Sequence, residues 1–103
     1  MLQILKRLFG VSNVNYQELI SAGALILDVR TTSEYASGHL HDSTNVPLNN
    51  LAGYLKKLKK DQVIVTCCAS GMRSGKAKAI LNSDGFLHVY NGGSWLNLKK
   101  YEQ

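Results

Sequence analysis

A chain of 103 residues, 45% of them apolar, can build one modest hydrophobic core but not two, and 18% charged residues with a single proline exclude disordered and fibrous classes. Twelve Lys and Arg against seven Asp and Glu give +5, a surface field that attracts anions without naming one. The only cysteines are Cys67 and Cys68, and neighbours in sequence cannot staple distant parts of a fold. This excludes a disulfide framework and points to a reducing, cytoplasmic setting or to chemical use of the thiols.

Residues 1–10 mix Leu2, Ile4, Leu5, Leu8 and Phe9 with Lys6 and Arg7, with no uninterrupted apolar run and no small-residue cleavage site. They read as a helical or flexible lead-in that packs on a domain spanning 11–103, without stable membrane insertion. Residues 11–14 suggest a first short strand. A helix is predicted over 16–22, with Asn15 able to accept from free backbone amides as N-cap and Gly23 as its stop. The apolar run 24–29 suits a buried parallel strand.

A second short helix is expected over 32–37, ending at Gly38, and a brief strand over 43–46, stopped by Pro47. Leu48, Leu51, Leu55 and Leu58 recur at spacings of three and four and predict an amphipathic helix. Its opposite face carries Lys56, Lys57, Lys59 and Lys60, a solvated face with no interleaved aromatics for nucleic acid. Residues 63–67 give the clearest strand, being rich in β-favouring types without a polar break. Residues 73–81 read as a helix fed directly by a loop at Gly71, 86–90 as a last strand, and 94–100 as a terminal helix after Gly92-Gly93. Strand and helix alternate with short connections, which predicts an α/β fold: an open parallel β-sheet with helices on both faces. Ligands of such sheets sit at the carboxyl ends of the strands, where the cysteines fall.

A cysteine at the end of a buried strand, before a short loop that becomes a helix, can aim its sulfur at unpaired backbone N–H groups, an anion cradle. The helix N-terminus and Arg73 would both favour a thiolate, and such settings lower a cysteine pKa to about 3.5–7.5. Gly71 permits close backbone approach, while small Ala69 and Ser70 leave room for an anionic guest above the sulfur. Strand alternation turns Cys67 the opposite way, into the core, and this reading is favoured over a resolving thiol for Cys68, which would need a strained ring between neighbours.

The segment Cys68-Ala69-Ser70-Gly71-Met72-Arg73-Ser74 resembles the rhodanese loop, Cys-x-x-Gly-x-Arg-Ser. Asp28-Val29-Arg30 looks like that family's Asp-x-Arg element, followed by Glu34, Gly38-His39 and Asn45-Val46-Pro47. Gly92-Gly93 and Trp95 resemble its closing glycine pair and tryptophan. The chain departs from the family at His41-Asp42-Ser43, where a Pro-Gly-Ala-like stretch is frequent, and in the extra Cys67.

The resemblance implies a sulfurtransferase that needs no metal or organic cofactor. Cys68 would be the nucleophile that carries a persulfide between a small-molecule sulfur donor, such as thiosulfate, and a thiol, cyanide or acceptor protein. Backbone amides from Ala69 through Ser70, Gly71, Met72 and Arg73 to Ser74 would hold the anion, Arg73 would help place the donor, and Asp28 and Arg30 would brace the loop.

Two other readings compete. Cys67, five residues before Arg73-Ser74, matches the Cys-x5-Arg-Ser frame of cysteine-dependent phosphatases, some of which share the rhodanese fold. Against it, Thr66 stands where those enzymes usually have His, no carboxylate is obvious as a leaving-group acid, and the four-residue gap after Cys68 suits one sulfur better than a phosphoryl group. A non-catalytic docking or persulfide-carrier domain is the other, with intact Cys68 and Arg73 arguing against a dead copy. His39 and His41 lack the paired spacing of a zinc site. His39 is expected to make a structural hydrogen bond, His88 to sit half-buried on a strand face, and Trp95 to cover the sheet end.

Overall fold

The computed structural model describes residues 14–102. The predicted lead-in over 1–10 lies outside them, as does nearly all of the strand expected at 11–14. The described elements run α1 (Tyr16–Ser21), β1 (Leu25–Asp28), α2 (Thr32–Ser37), β2 (Ser43–Asn45), α3 (Leu51–Tyr54), β3 (Val63–Cys68), α4 (Met72–Ser83), β4 (His88–Ser94) and α5 (Trp95–Leu98). The four strands form one sheet in the order β2-β1-β3-β4, every pairing parallel. None of the described helices is long and apolar enough to cross a membrane.

Local chemistry accounts for the helix ends. Asn15 Oδ1 accepts from the Glu18 amide at 3.1 Å, the expected N-cap of α1. In α2 the Thr31 hydroxyl accepts from the Glu34 amide, while the Glu34 carboxylate accepts from the Thr31 amide at 3.0 Å, a reciprocal capping box.

Each face of the sheet is covered. Leu27, Val29, Ile64, Cys68 and Val89 point to one side, where Leu51 of α3 and Ala77 and Leu81 of α4 close over them. Ile26, Val65 and Cys67 point to the other, against Leu40 and Leu98, with Tyr16, Leu19 and Ile20 of α1 and Trp95 packed around. Leu27, Ile64 and Leu81 are fully buried, and burial of each such side chain is worth about 1.5–3 kcal/mol.

Two predicted elements change form. The leucine stripe is not one helix: residues Leu48–Asn50 and Leu55–Lys57 are single 3-10 turns flanking the four-residue α3. Asn49, Asn50 and Gly53 are poor helix formers, and Leu58 is already extended. The stripe still does its packing, since Leu51 is buried and Leu48, Leu55 and Leu58 lie against the same cluster, with all four lysines exposed.

The last strand begins at His88 and runs on to Ser94, rather than covering 86–90. Phe86 is a core plug below it, 3% exposed. Gly92-Gly93 belong to the ladder: Thr66 pairs with Asn91 but Cys68 with Ser94, so β4 carries one extra residue there, a bulge. His88, expected half-buried, is exposed at the first position of β4.

Gly92 has no room for a side chain. A Cβ there would meet Val65 Cγ1 at 2.8 Å, Leu98 Cδ1 at 2.9 Å and the Thr66 carbonyl oxygen at 2.9 Å. Because one of these is backbone of the neighbouring strand, it cannot swing aside. Gly92→Ala is therefore expected to destabilise the fold by about 1–3 kcal/mol, read as a lower urea midpoint at unchanged slope. A wild-type midpoint would contradict this packing.

Candidate active site

The carboxyl ends of β1, β3 and β4 converge on the segment from Cys68 to Ser74. Cys68 closes β3 and is fully buried, whereas Ala69 and Ser70, which follow it in the loop, are exposed. Gly71, at φ +107°, takes a conformation that side chains resist, and this turns its N–H back onto Cys68 Sγ at 2.9 Å. It is also the N-cap residue of the twelve-residue α4 and receives no side-chain cap, so the sulfur occupies the electropositive end of that helix.

Burial pushes the Cys68 thiol up, but the Ser74 hydroxyl and the backbone groups of Ser74, Gly71 and Ser70 outweigh it, and the thiol is held below its ordinary value. Cys67 has the opposite environment. It is fully buried against the α1 and α5 side of the sheet, and desolvation, reinforced by the nearby Asp28 carboxylate, pushes its thiol well above the ordinary range. The two neighbours thus point to opposite faces, as strand alternation predicts. Both are free thiols.

Arg73 stands on the first turn of α4, but its guanidinium is already engaged. Nη1 and Nη2 donate to the two Glu34 carboxylate oxygens at 2.6 and 2.9 Å, a bidentate pair about one third exposed. Hydrogen bonds from Arg73, then from the Thr31 backbone, hold the Glu34 carboxyl down at about 2. The sequence reading aims Arg73 at an anionic donor; here it ties α4 to α2 and reaches Cys68 only through its field. Met72, the first residue of α4, is 73% exposed.

Asp28 and Arg30, expected to brace the loop, form a buried ion pair with each other at the end of β1. Asp28 is fully buried and Arg30 4% exposed, joined at 2.7 Å. Arg30 also donates to the Glu34 and Gly38 carbonyls at 3.2 and 2.8 Å and lies 4.6 Å over the Trp95 ring, which is partly buried against the Ile26, Leu40 and Val65 cluster. His39 makes its structural hydrogen bond through Nδ1 to the Tyr35 carbonyl at 2.7 Å and stacks on the Tyr35 ring, while the His41 ring lies against Glu102. At the divergent 41–43 stretch, Ser43 makes the turn by donating from its amide and its hydroxyl to the Leu40 carbonyl.

Two residues at the site carry roles that sequence reasoning did not assign. Glu34 had a legible signal, the Thr31-x-x-Glu34 spacing of a capping box, though its pairing with Arg73 had none. Asn91 lies one residue beyond the predicted last strand. The bulge brings it to the loop, where Oδ1 accepts from the Ser74 hydroxyl at 2.6 Å and the Gly93 amide at 2.9 Å, and Nδ2 donates to the Gly71 carbonyl at 3.2 Å.

The parallel α/β sheet thus presents one of its two thiols, Cys68, to the backbone amides of the loop that opens α4. Residues 12–96 match the profile of the rhodanese-like domain, and the chain belongs to that family. It is 33% identical over 75 residues to thiosulfate sulfurtransferase GlpE of Pseudomonas fluorescens, covering 73% of this chain and 69% of that protein. It is also 33% identical over 89 residues to the GlpE of Pseudomonas syringae pv. syringae, with 84% of each chain covered. Among solved structures, a rhodanese with anions from E. coli superposes with a TM-score of 0.69 at 28% identity, over 73% of this chain and 91% of that one.

Proposed function

We propose that this protein is a thiosulfate sulfurtransferase-like enzyme that moves a sulfane sulfur through a persulfide on Cys68. The thiolate attacks the outer sulfur of a donor such as thiosulfate. A bond from Sγ to that sulfur forms, the S–S bond of the donor breaks, and sulfite leaves with the electron pair. A thiol or cyanide then attacks the outer sulfur of the persulfide, and Cys68 returns as thiolate.

The observation that carries this reading is the setting of Cys68: a buried sulfur at the mouth of a loop, 2.9 Å from the Gly71 amide, with its thiol held below the ordinary value. Backbone amides that favour a thiolate on Cys68 support a reading in which the same loop holds a persulfide anion. Cys67, with its thiol driven up and its side chain in the core, is a poor nucleophile, which speaks against the phosphatase reading. Met72 offers an acceptor protein an apolar contact at the rim of the loop.

Incubation with thiosulfate should add one sulfur, about 32 Da in the intact mass, placed on Cys68 by fragment masses. Cyanide should then discharge it as thiocyanate. No added sulfur and no thiocyanate would remove thiosulfate as the donor.

A further inference from the structure

Among the described residues Cys68 touches one side-chain hydroxyl, that of Ser74, and this hydroxyl has a single proton to give. The thiol donates to Ser74 Oγ at 3.4 Å, and Ser74, itself fully buried, donates onward to Asn91 Oδ1 at 2.6 Å. When Cys68 loses its proton to solvent, the hydrogen bond must reverse: the thiolate is an acceptor only, so the Ser74 O–H has to turn from Asn91 to sulfur. Asn91 and the thiolate therefore compete for the same proton.

Asn91 is well placed to hold its side of this competition. Its carbonyl oxygen keeps the Gly93 amide when Ser74 turns away, so no buried acceptor is stranded. Its Nδ2 is fixed by the Gly71 carbonyl, the residue whose amide contacts Cys68, and its backbone carbonyl accepts from the Tyr16 hydroxyl at 2.8 Å. A Cβ on Gly75 would come within 3.3 Å of Nδ2, so the first turn of α4 closes over the amide.

We propose that Asn91 is a positioning residue that sets the proton affinity of Cys68 by accepting the Ser74 hydroxyl in the thiol form and releasing it in the thiolate form. Asn91 touches no reacting atom and acts through Ser74. The inference rests on Cys68 being the reacting thiol of the proposed function, but it concerns ionisation rather than sulfur transfer. Among the described residues the charged and titratable groups around Cys68 are Arg73 on α4, paired with Glu34 of α2, the Asp28–Arg30 pair at the end of β1, and the Cys67 thiol on β3. All of them remain in the variants below.

The test is the pH dependence of Cys68 alkylation by iodoacetamide, resolved from Cys67 by fragment masses. Asn91→Leu keeps size and branching but removes the acceptor, leaving the buried Ser74 proton unmatched only in the thiol form. Its alkylation midpoint should fall by about 0.5–1 pH unit, the worth of one neutral hydrogen bond. Asn91→Asp, a stronger acceptor, should raise the midpoint. In a Ser74→Ala background the Leu shift should vanish, and only the repulsive part of the Asp shift should survive.

Opposite shifts that both depend on Ser74 are not what a loosened loop would produce. A Leu midpoint that stays in place, rises, or falls equally without the Ser74 hydroxyl would overturn the assignment. If Asn91→Leu fails to melt cooperatively, Asn91→Asp decides alone: a rise undiminished in the Ser74→Ala background refutes the proposal. Failure of thiosulfate loading with the expected midpoint shifts would instead refute only the sulfur-transfer reading.

Discussion

Asp28→Ala is expected to cost about 3–5 kcal/mol, the penalty for stranding a buried charge by deleting its partner. The Asp28 carboxylate accepts from the Arg30 backbone amide at 3.0 Å, from Nε at 3.0 Å and from Nη2 at 2.7 Å, with both residues out of solvent. Alanine removes these acceptors and leaves the Arg30 guanidinium buried with only the Glu34 and Gly38 carbonyls. Domains of this size are stable by only about 5–15 kcal/mol, and each kcal/mol moves the melting point by roughly 4–8 °C, so the variant should melt well over about 10 °C early. A wild-type melting point would mean that this pair is solvated rather than buried.

The double variant Asp28→Ala with Arg30→Met identifies the cause. If the cost of the single change is the unpaired cation, removing the cation should recover part of the lost stability. Recovery should be incomplete, because Arg30 also holds the Glu34 and Gly38 carbonyls and packs over Trp95. Arg30 bonds the Glu34 backbone carbonyl while Arg73 holds the Glu34 carboxylate, so both arginines meet at the same residue of α2.

How much of this was legible in sequence depends on whether each feature is local. β3 was, because a run of β-branched residues ending in two cysteines leaves little choice. So was α2, placed over the same residues by its bounding turn signals, and so was the opposed orientation of Cys67 and Cys68, which follows from a period of two. The leucine stripe gave the buried face correctly but not the helix, since periodicity reports burial while Asn49, Asn50 and Gly53 determine the backbone.

What stayed hidden required contacts far apart in the chain. Glu34 meets Arg73 across 39 positions and Ser74 meets Asn91 across 17, and neither residue type announces its partner. The glycine pair misled because Gly-Gly ordinarily ends a strand; here it forms a bulge, and Gly92 is required by the close approach of Val65, Leu98 and the Thr66 carbonyl. The loop motif pointed to Cys68 but could not show that Arg73 is already occupied.

Exchange of one sulfur for oxygen at two adjacent positions should give opposite results. Cys68→Ser should lower thiocyanate formation by roughly 10³-fold or more, since a serine hydroxyl is neither ionised near neutral pH nor able to form a persulfide. It should leave the melting point close to wild type, because the Ser74 hydroxyl and the Gly71 amide can both serve an oxygen at that site. Cys67→Ser should do the reverse. That side chain is buried among Ile26, Leu40, Val65 and Leu98, where a hydroxyl without a partner costs about 1–3 kcal/mol, so stability should fall while turnover per folded molecule persists. Turnover that vanishes with Cys67→Ser and survives Cys68→Ser would move the nucleophile back by one residue, into the wider frame ending at Arg73. The geometry argues against that outcome on both counts: the Cys67 thiol is driven up by burial and faces the core, while Cys68 alone lies under the amides of the loop.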